Sequence, residues 1–409
     1  MLHSMTDPII VIGASQAGLQ VAESLRAGGY DGPLMMIGEE PHPPYQRPPL
    51  SKALLTGETT EDRLVLRGRD LLAKRNIELV TGARVVSIDR AGRQVILADG
   101  QSFAYRGLAL TTGGRARSLP IAGADLKGVV TLRTIEDSRR IAAGIAQASS
   151  VAVVGGGFIG LEIAAAARKA GKPVVVLEAL DRLLARSSAP FVSDFFRDVH
   201  AAAGVDIRLG TQVAAIEGRS GRAAAVISAD GRGHPADLVV VGVGIVPNAE
   251  LAQQCGIACE RGIVVDDCSR TDDPAVVAAG DCTARRLPDG ALLRLESVQN
   301  AIEQGKSAAA ALVGKTRPFT AAPWFWSDQY DVRLQMAGLS AGHDKVVVRG
   351  DRAARRFSVF YFRGETLLAV DTVNRAPDHI AARKLLDAGK SPTFAQAADE
   401  GFALAALLR

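Results

Sequence analysis

The residues best suited to chemistry are three glycines and one carboxylate in the stretch between positions 151 and 178. An apolar run, Val151–Val154, leads directly into Gly155-x-Gly157-x-x-Gly160, then an alanine-rich stretch. Such glycines permit a tight turn, let a pyrophosphate approach the backbone and let the next helix pack close to the sheet. The N-terminus of that helix would face the phosphates. The pattern predicts a strand, turn, helix and strand that bind a dinucleotide.

Glu178 ends the second apolar run of this unit. A carboxylate there can accept hydrogen bonds from the ribose hydroxyls of an adenosine, whereas a 2′-phosphate would meet a like charge. The sequence therefore favours NADH over NADPH.

The same pattern occurs near the N-terminus, which predicts a second nucleotide. An apolar run leads into Gly13-Ala14-Ser15-Gln16-Ala17-Gly18, and a later run ends at Gly38-Glu39-Glu40. Ser15 replaces the middle glycine. Serine is small enough for the turn to survive, but the approach of a phosphate is less assured than at Gly157.

Two further apolar strands end in glycines in the same way. One runs into Thr111-Thr112-Gly113 and the other, over 236–248, passes through Gly244. This internal repeat indicates that the second unit is inserted into the first, and a strand ending at Gly280-Asp281 closes the insertion. We expect domains at 1–115 with 247–321, at 116–246 and at 322–409.

The last region differs in composition. Residues 324–328 hold both tryptophans, and alternating apolar runs at 345–349, 356–362 and 366–373 predict an antiparallel sheet followed by helices. The expected fold is therefore α/β, with two nested Rossmann-like dinucleotide-binding domains and a C-terminal α+β domain.

Composition limits the possible functions. The chain has 409 residues and a formal net charge of +4, which gives no reason to expect nucleic-acid or membrane binding. The uncharged stretch 141–161 contains polar residues and a glycine turn, so a helix end followed by a buried strand explains it better than a membrane span. The N-terminus, MLHSMTDP, shows no signal peptide, and we expect a cytoplasmic protein.

Cysteines and histidines indicate no metal site. Cys255, Cys259, Cys268 and Cys282 form no C-x-x-C pair and have no histidine at ligand spacing, so we expect free thiols.

The chain resembles a known family over essentially its whole length, and two short segments are the most specific part of that resemblance. With the paired glycine motifs, PPLSK at 48–52 and WFWSDQ at 324–329 resemble the NADH-dependent, FAD-containing ferredoxin reductases of bacterial oxygenase systems. The resemblance implies a glutathione-reductase-like architecture, FAD and NADH as cofactors, and a [2Fe–2S] ferredoxin that supplies a haem mono-oxygenase or a Rieske-type oxygenase. We expect a monomer or weak dimer.

The resemblance also implies site residues. Lys52 would lie beside the flavin ring near N5, and Glu162 near the nicotinamide and near Lys52. The remaining FAD residues would be Gly13, Ser15, Ala17, Gly18, Glu39, Arg47, Val85, Thr112, Gly113, Arg133, Asp281, Val298 and Trp326. The NADH residues would be Gly156, Gly157, Ile159, Gly160, Glu178, Arg186 and Gly244.

Other activities share this pattern of two nucleotide domains. A rubredoxin reductase, an NADH oxidase and a non-catalytic NADH-sensing flavoprotein all remain open. Disulfide reductases need a cysteine at the flavin, and no cysteine precedes Cys255, so the sequence excludes that class.

Overall fold

The structure is a computed structural model and describes residues 7–409. The N-terminal segment MLHSMT, part of the argument against a signal peptide, lies outside the described residues.

The first part of the chain alternates strands with two helices. The elements are β1 (Ile9–Ile12), α1 (Gln16–Ala27), β2 (Leu34–Gly38), α2 (Arg69–Ala73), β3 (Glu78–Thr81), β4 (Val85–Asp89), β5 (Gln94–Leu97), β6 (Ser102–Ala104), β7 (Gly107–Leu110) and β8 (Gly114–Ala116). Short 3₁₀ helices lie at Pro48–Ser51 and Glu61–Leu64.

The middle of the chain repeats this alternation. Its elements are β9 (Val129–Val130), α3 (Ile135–Gln147), β10 (Val151–Val154), α4 (Phe158–Lys169), β11 (Val174–Leu177), α5 (Pro190–Ala202), β12 (Val205–Arg208), β13 (Val213–Arg219), β14 (Arg222–Ser228), β15 (Gly233–Pro235), β16 (Leu238–Val241) and β17 (Ile245–Pro247).

The last part returns to the first unit and then forms the C-terminal region. Its elements are α6 (Glu250–Gln254), β18 (Ile263–Val265), β19 (Val276–Ala278), β20 (Thr283–Arg286), β21 (Leu292–Leu293), α7 (Val298–Leu312), β22 (Trp324–Gln329), β23 (Val332–Gly338), β24 (Lys345–Asp351), β25 (Arg356–Arg363), β26 (Thr366–Val373), α8 (Ala376–Asp387), α9 (Phe394–Ala398) and a 3₁₀ helix at Leu404–Leu408.

The chain folds as two compact units. The first comprises residues up to Gln46, Asp62–Arg115 and Val246–Ala321. The second comprises Arg47–Glu61, Ala116–Ile245 and Ala322–Arg409.

The first unit is built on a parallel sheet with strand order β19-β7-β1-β2-β3. All four residues of β1 are buried, and alternate residues of a strand point to opposite sides, so both faces of the sheet are covered. Ile9 and Val11 of β1 pack with α1 and α7, whereas Ile10 and Ile12 join the core beneath β4, β5 and β18.

The second unit contains a matching sheet, β12-β11-β10-β16-β9, and the C-terminal sheet β22-β23-β26-β25-β24. The latter is antiparallel throughout and is followed by α8 and α9, as expected. Its residues Phe357 and Tyr361 share a core with Phe195 and Phe196 of α5. The nested arrangement, and with it the expected fold class, is confirmed.

One local expectation can be compared with the fold. The uncharged stretch 141–161 forms the end of α3, then β10 and the start of α4, and in residues 7–409 no helix has the length and apolarity needed to span a bilayer. The proline-rich stretch over 41–49 runs into the 3₁₀ helix Pro48–Ser51, since consecutive prolines leave few N–H donors for the bonds of an α-helix.

Candidate cofactor and active site

The glycine turn of the first unit forms a cradle at the N-terminus of α1. Gly13 has φ +111°, and a Cβ there would lie 2.2 Å from the Thr111 carbonyl oxygen. A Cβ on Gly18 would lie 1.9 Å from the Gly13 carbonyl oxygen, so α1 packs on β1 only with glycine at this position. Ala17 is buried. Its Cβ would lie 3.0 Å from a Cβ added at Gly280.

The carboxyl ends of four strands meet at this edge of the sheet. Ile12 pairs with Ile37 and Leu110, and Leu110 pairs with Ala278, so the residues that follow lie side by side. The residues just after these strands include four expected FAD residues, namely Glu39, Thr112, Gly113 and Asp281. Such an edge is where open α/β sheets bind ligands, so these residues fit a dinucleotide.

The other expected FAD residues of this unit are Ser15, Val298 and Val85. Ser15 is the N-cap of α1 with φ −120°, an extended conformation that costs a serine no strain. Val298 opens α7, and Val85 opens β4 and is buried. The Ser297 side chain accepts a hydrogen bond from the Asn300 backbone N–H, which caps the start of α7.

The glycine turn of the second unit has the same construction. Gly155 has φ +109°, and a Cβ on Gly160 would lie 2.2 Å from the Gly155 carbonyl oxygen. Gly157 is different, because a Cβ there would meet no heavy atom within 4 Å. The protein's own packing therefore does not require glycine at 157, and the open space fits the approach of a pyrophosphate to the N-terminus of α4.

Glu178 is oriented by backbone groups of the turn. Its Oε2 accepts the Gly156 N–H at 2.5 Å, and its Oε1 accepts the Leu180 N–H at 2.8 Å. A Cβ on Gly156 would lie 2.6 Å from Leu183 Cδ2 and 3.0 Å from Glu178 Oε2, so a larger residue there would have to displace these side chains. Each carboxylate oxygen keeps a second lone pair for a ribose hydroxyl.

The remaining expected NADH residues lie around this turn. Ile159 is 42% exposed at the start of α4, two residues after Gly157. Gly244 follows β16 with φ +102°. Arg186 is exposed on the loop after β11, and the Arg182 guanidinium shapes this loop by donating to the Ala185 and Ser188 carbonyl oxygens.

Lys52 and Glu162 form an ion pair within the second unit. Lys52 Nζ lies 2.9 Å from Glu162 Oε1, and 17% of the lysine side chain but only 1% of the glutamate side chain is exposed. The segment Arg47–Glu61 carries Lys52, and α4 carries Glu162, five residues into the helix that begins at the Gly157 turn. The two residues expected to act in catalysis are therefore in contact.

Glu162 has two neutral donors besides Lys52. Ser51 Oγ donates to Glu162 Oε2 at 2.5 Å, and Ser327 Oγ donates to Oε1 at 2.6 Å. Burial raises the pKa of Glu162 above its ordinary value, while the Lys52 charge and the two hydroxyl donors oppose that rise. The donors thus favour the ionised form of the carboxyl group, whereas burial favours the protonated form.

The segment that carries Lys52 is attached to the start of α3. Ser138 Oγ donates to the Leu50 carbonyl oxygen at 2.8 Å, and Arg47 donates to the Arg133 carbonyl oxygen at 2.6 Å. Thr134 and Asp137 cap α3 reciprocally. Arg47 and Arg133, both expected at FAD, therefore contact each other in the second unit, which also contains Lys52 and Trp326.

Trp326 lies half-buried in β22, with its ring centroid 5.7 Å from that of Trp324. The strand alternation places Phe325 on the opposite face, where its ring centroid lies 4.9 Å from that of Phe158 of α4.

Sequence reasoning missed four polar residues at this site, because the resemblance supplied Lys52 and Glu162 but not the side chains that hydrogen-bond around them. These are Ser51, Ser327, Gln329 and His200, all buried and linked by hydrogen bonds to one another or to Glu162. A signal was present in the strand itself, since Ser327 and Gln329 are polar residues at alternate positions of a strand, where one face is expected to bury apolar side chains.

The cysteines do not suit redox chemistry. Burial raises the pKa of Cys255, and it raises the pKa of Cys259 to about 11, so both remain protonated thiols at neutral pH. All four cysteines are free.

Two glycine cradles, each at the edge of a parallel sheet, together with a lysine paired with a buried glutamate, define a two-dinucleotide oxidoreductase. The pyridine nucleotide-disulphide oxidoreductase model matches residues 7–305, and the reductase C-terminal model matches residues 324–408. The chain belongs to the pyridine nucleotide-disulphide oxidoreductase family. It is an oxidoreductase that uses FAD and NAD(H).

Relatives agree over nearly the full length. Rhodocoxin reductase of Rhodococcus erythropolis is 47% identical over 97% of this chain and 93% of that protein. Putidaredoxin reductase of Pseudomonas putida is 44% identical over 93% of this chain and 92% of that protein.

A solved structure agrees as well. The ferredoxin reductase for the CYP199A2 system of Rhodopseudomonas palustris is 43% identical, with a TM-score of 0.95 over 97% of this chain and 98% of that one. The resemblance to ferredoxin reductases is confirmed.

Proposed function

We propose that this chain is an NADH-dependent ferredoxin reductase of a bacterial oxygenase system. It would take hydride from NADH and pass single electrons to a [2Fe–2S] ferredoxin that supplies a haem mono-oxygenase or a Rieske-type oxygenase. The observation that carries the proposal is the ion pair between Lys52 and the buried Glu162, which lies on the helix that starts at the Gly157 turn. The names of the relatives support the choice of acceptor.

The two glycine turns would hold the two cofactors. We assign FAD to the turn at Gly13–Gly18, with Glu39 and Asp281 binding its hydroxyls, and NADH to the turn at Gly155–Gly160. When bound, FAD supplies the exchange between two-electron and one-electron transfer. The protein contributes binding, orientation and charge.

Lys52 and Glu162 would set the charge at the reacting groups. The Lys52 ammonium stabilises negative charge that develops on reduction, since a fixed cation in a partly desolvated site needs no reorganisation. Glu162 holds that ammonium in one position, 2.9 Å away. The Glu178 carboxylate selects NADH by its charge, as argued above.

Other acceptors would give other activities. A relative named rubredoxin-NAD(+) reductase, from Pseudomonas putida, is 39% identical over 90% of this chain, below the identities of the ferredoxin reductases. Disulfide reduction is disfavoured, because no cysteine precedes Cys255 in the sequence and burial raises the pKa of the Cys255 and Cys259 thiols.

The test is anaerobic stopped-flow mixing of the FAD-loaded protein with NADH or NADPH, followed by a [2Fe–2S] ferredoxin. We expect rapid bleaching with NADH, slow bleaching with NADPH and reoxidation by the ferredoxin. Reoxidation by rubredoxin alone, or by dioxygen alone, would replace this function with one of the alternatives. A protein that binds NADH without bleaching would be a sensor.

We also propose a cytoplasmic location and a monomeric or weakly dimeric state. Four free cysteines support the location, since reducing compartments keep thiols unpaired. Cell fractionation would test the location, and sedimentation equilibrium would test the state.

A further inference from the structure

We propose that Gln329 and His200 are positioning residues that act through Ser327 to hold the Lys52–Glu162 pair in its ionised arrangement. This inference deepens the proposed function and rests on it. It assigns a role in the reductase to the interface between the C-terminal sheet and α5, both within the second unit.

The side chains form a continuous chain of hydrogen bonds. Ser327 Oγ lies 2.6 Å from Glu162 Oε1, and Gln329 Nε2 lies 3.0 Å from Ser327 Oγ. His200 Nε2 lies 2.8 Å from Gln329 Oε1. Tyr330 Oη lies 3.3 Å from His200 Nδ1 and completes the chain.

The chemistry of each group fixes the direction of every bond. The Gln329 carbonyl oxygen can only accept, so His200 Nε2 must carry the proton, and Nδ1 is then free to accept from Tyr330. The Gln329 amide nitrogen can only donate, so Ser327 accepts from it and directs its own proton to Glu162. All four bonds donate towards the carboxylate, and bonds aligned in this way strengthen one another.

Because its residues are buried, losing a bond of this hydrogen-bond chain costs free energy that water cannot restore. Glu162, Ser327, Gln329 and His200 are each 3% exposed or less, so no solvent can replace a lost donor. Burial lowers the pKa of His200 and keeps the ring neutral, and it raises the pKa of Tyr330 to about 12, which preserves its donor proton. The chain therefore keeps the same direction across the working pH range.

The charged groups around the chain lie at its two ends. Lys52 faces Glu162, and Arg168 lies near Tyr330. Gln329 and Ser327 in the middle are neutral. A change at Gln329 or His200 thus alters no charge, and any effect on Glu162 must pass through the hydrogen bonds.

Loss of this chain of hydrogen bonds should raise the pKa of Glu162 further. Ser327 would lose its orienting partner and could turn its proton away, which favours the protonated carboxyl and weakens its hold on Lys52. If flavin reduction needs the ionised pair, the acidic limb of its pH profile should move to higher pH by about one unit.

The experiment compares Gln329→Met and His200→Phe with His200→Gln in the FAD-loaded protein. Methionine and phenylalanine remove the donor, whereas glutamine can offer an amide N–H near the place of Nε2. We expect the first two variants to shift the acidic limb of NADH-driven flavin reduction upward, and His200→Gln to restore much of the wild-type profile.

Ser358→Ala is the matched control. Ser358 is fully buried in the same C-terminal sheet, and its hydroxyl donates to the Asp378 carboxylate at 2.8 Å. The control removes the same kind of bond from another carboxylate, so it should cost stability and leave the pH profile unchanged. A shift in this control equal to that of Gln329→Met would overturn the proposal, because it would reflect general loosening.

A second measurement reads Glu162 directly. Infrared difference spectra of the FAD-loaded protein between neutral and acid pH should show the band of a protonated buried carboxyl, identified by its loss in Glu162→Gln. We expect the band to develop at higher pH in Gln329→Met than in the wild type, and equal midpoints would overturn the proposal. Failure of wild-type reduction by NADH would instead reject the proposed function, leaving this measurement intact.

Discussion

The Glu178 carboxylate accepts the Gly156 backbone N–H at 2.5 Å, so the residue that follows β11 is held against the glycine turn that follows β10. The contact places a negative charge at the turn where the adenosine end of the nucleotide is proposed to bind. It also fixes that charge in position before any ligand arrives, because the Leu180 N–H holds the second oxygen at 2.8 Å.

Removing this charge should relax the choice of nucleotide. In Glu178→Ala we expect the ratio of kcat/KM for NADH to that for NADPH to fall by about one to two orders of magnitude, or roughly 1.4–2.8 kcal/mol. Glu217→Ala removes an exposed carboxylate from β13 and serves as the control. An unaltered ratio in Glu178→Ala would remove the basis for the NADH preference.

Replacing Lys52 should impair flavin reduction. Lys52→Met leaves Glu162 buried without its cation, so we expect at least a roughly tenfold slower reduction by NADH, about 1.4 kcal/mol in the barrier, or a lower flavin midpoint potential. Lys52→Arg should retain most of the rate. Lys127→Met, at an exposed lysine of the same unit, is the control. Wild-type kinetics and potential in Lys52→Met would contradict the proposed role.

Gly157 offers a test of ligand binding separate from folding. A Cβ at 157 meets no protein atom within 4 Å, so Gly157→Ala should keep the stability of the wild type within about 0.5 kcal/mol while raising KM for NADH about tenfold. The control is Gly68→Ala, since Gly68 is also an extended N-cap glycine with open space around it and begins α2. Thermal unfolding and steady-state kinetics measure the two effects, and an unchanged KM in Gly157→Ala would count against a pyrophosphate there.

A buried carboxyl in the C-terminal sheet should make stability depend on pH. Burial raises the pKa of Asp371 to about 7, and Tyr361 Oη donates to its Oδ2 at 2.5 Å. Between about pH 4 and pH 7 the folded protein holds a proton that the unfolded chain has released. The free energy of unfolding should therefore fall as pH rises through this window, by about 4 kcal/mol in total.

Asp371→Asn removes the titrating group and keeps an oxygen that can accept from Tyr361. We expect its urea midpoint to change little between pH 4.5 and pH 8, and Asp351→Asn, at an exposed end of β24, to retain the wild-type dependence. If the wild type and Asp371→Asn lose stability in parallel as pH rises, another group must be responsible.

The sequence alone determined the parts of this protein that depend on local requirements. A Cβ at Gly160 or Gly18 would overlap a backbone oxygen at about 2 Å, so the glycine spacing identifies both turns without any knowledge of the rest of the chain. Strand runs such as Val151–Val154 are apolar throughout because both of their faces are buried, which predicts the parallel sheets. Family resemblance then supplied Lys52 and Glu162, which no local pattern would have paired.

Only the tertiary structure decided how the polar side chains connect. Ser51 and Ser327 lie 111 and 165 positions from Glu162 in the sequence, yet both donate to its carboxylate. Their contact depends on how α4, the segment Arg47–Glu61 and β22 pack together, and a one-dimensional pattern does not encode that packing. The same applies to His200 and Gln329, because a buried polar residue shows its role only once its hydrogen-bond partner is known.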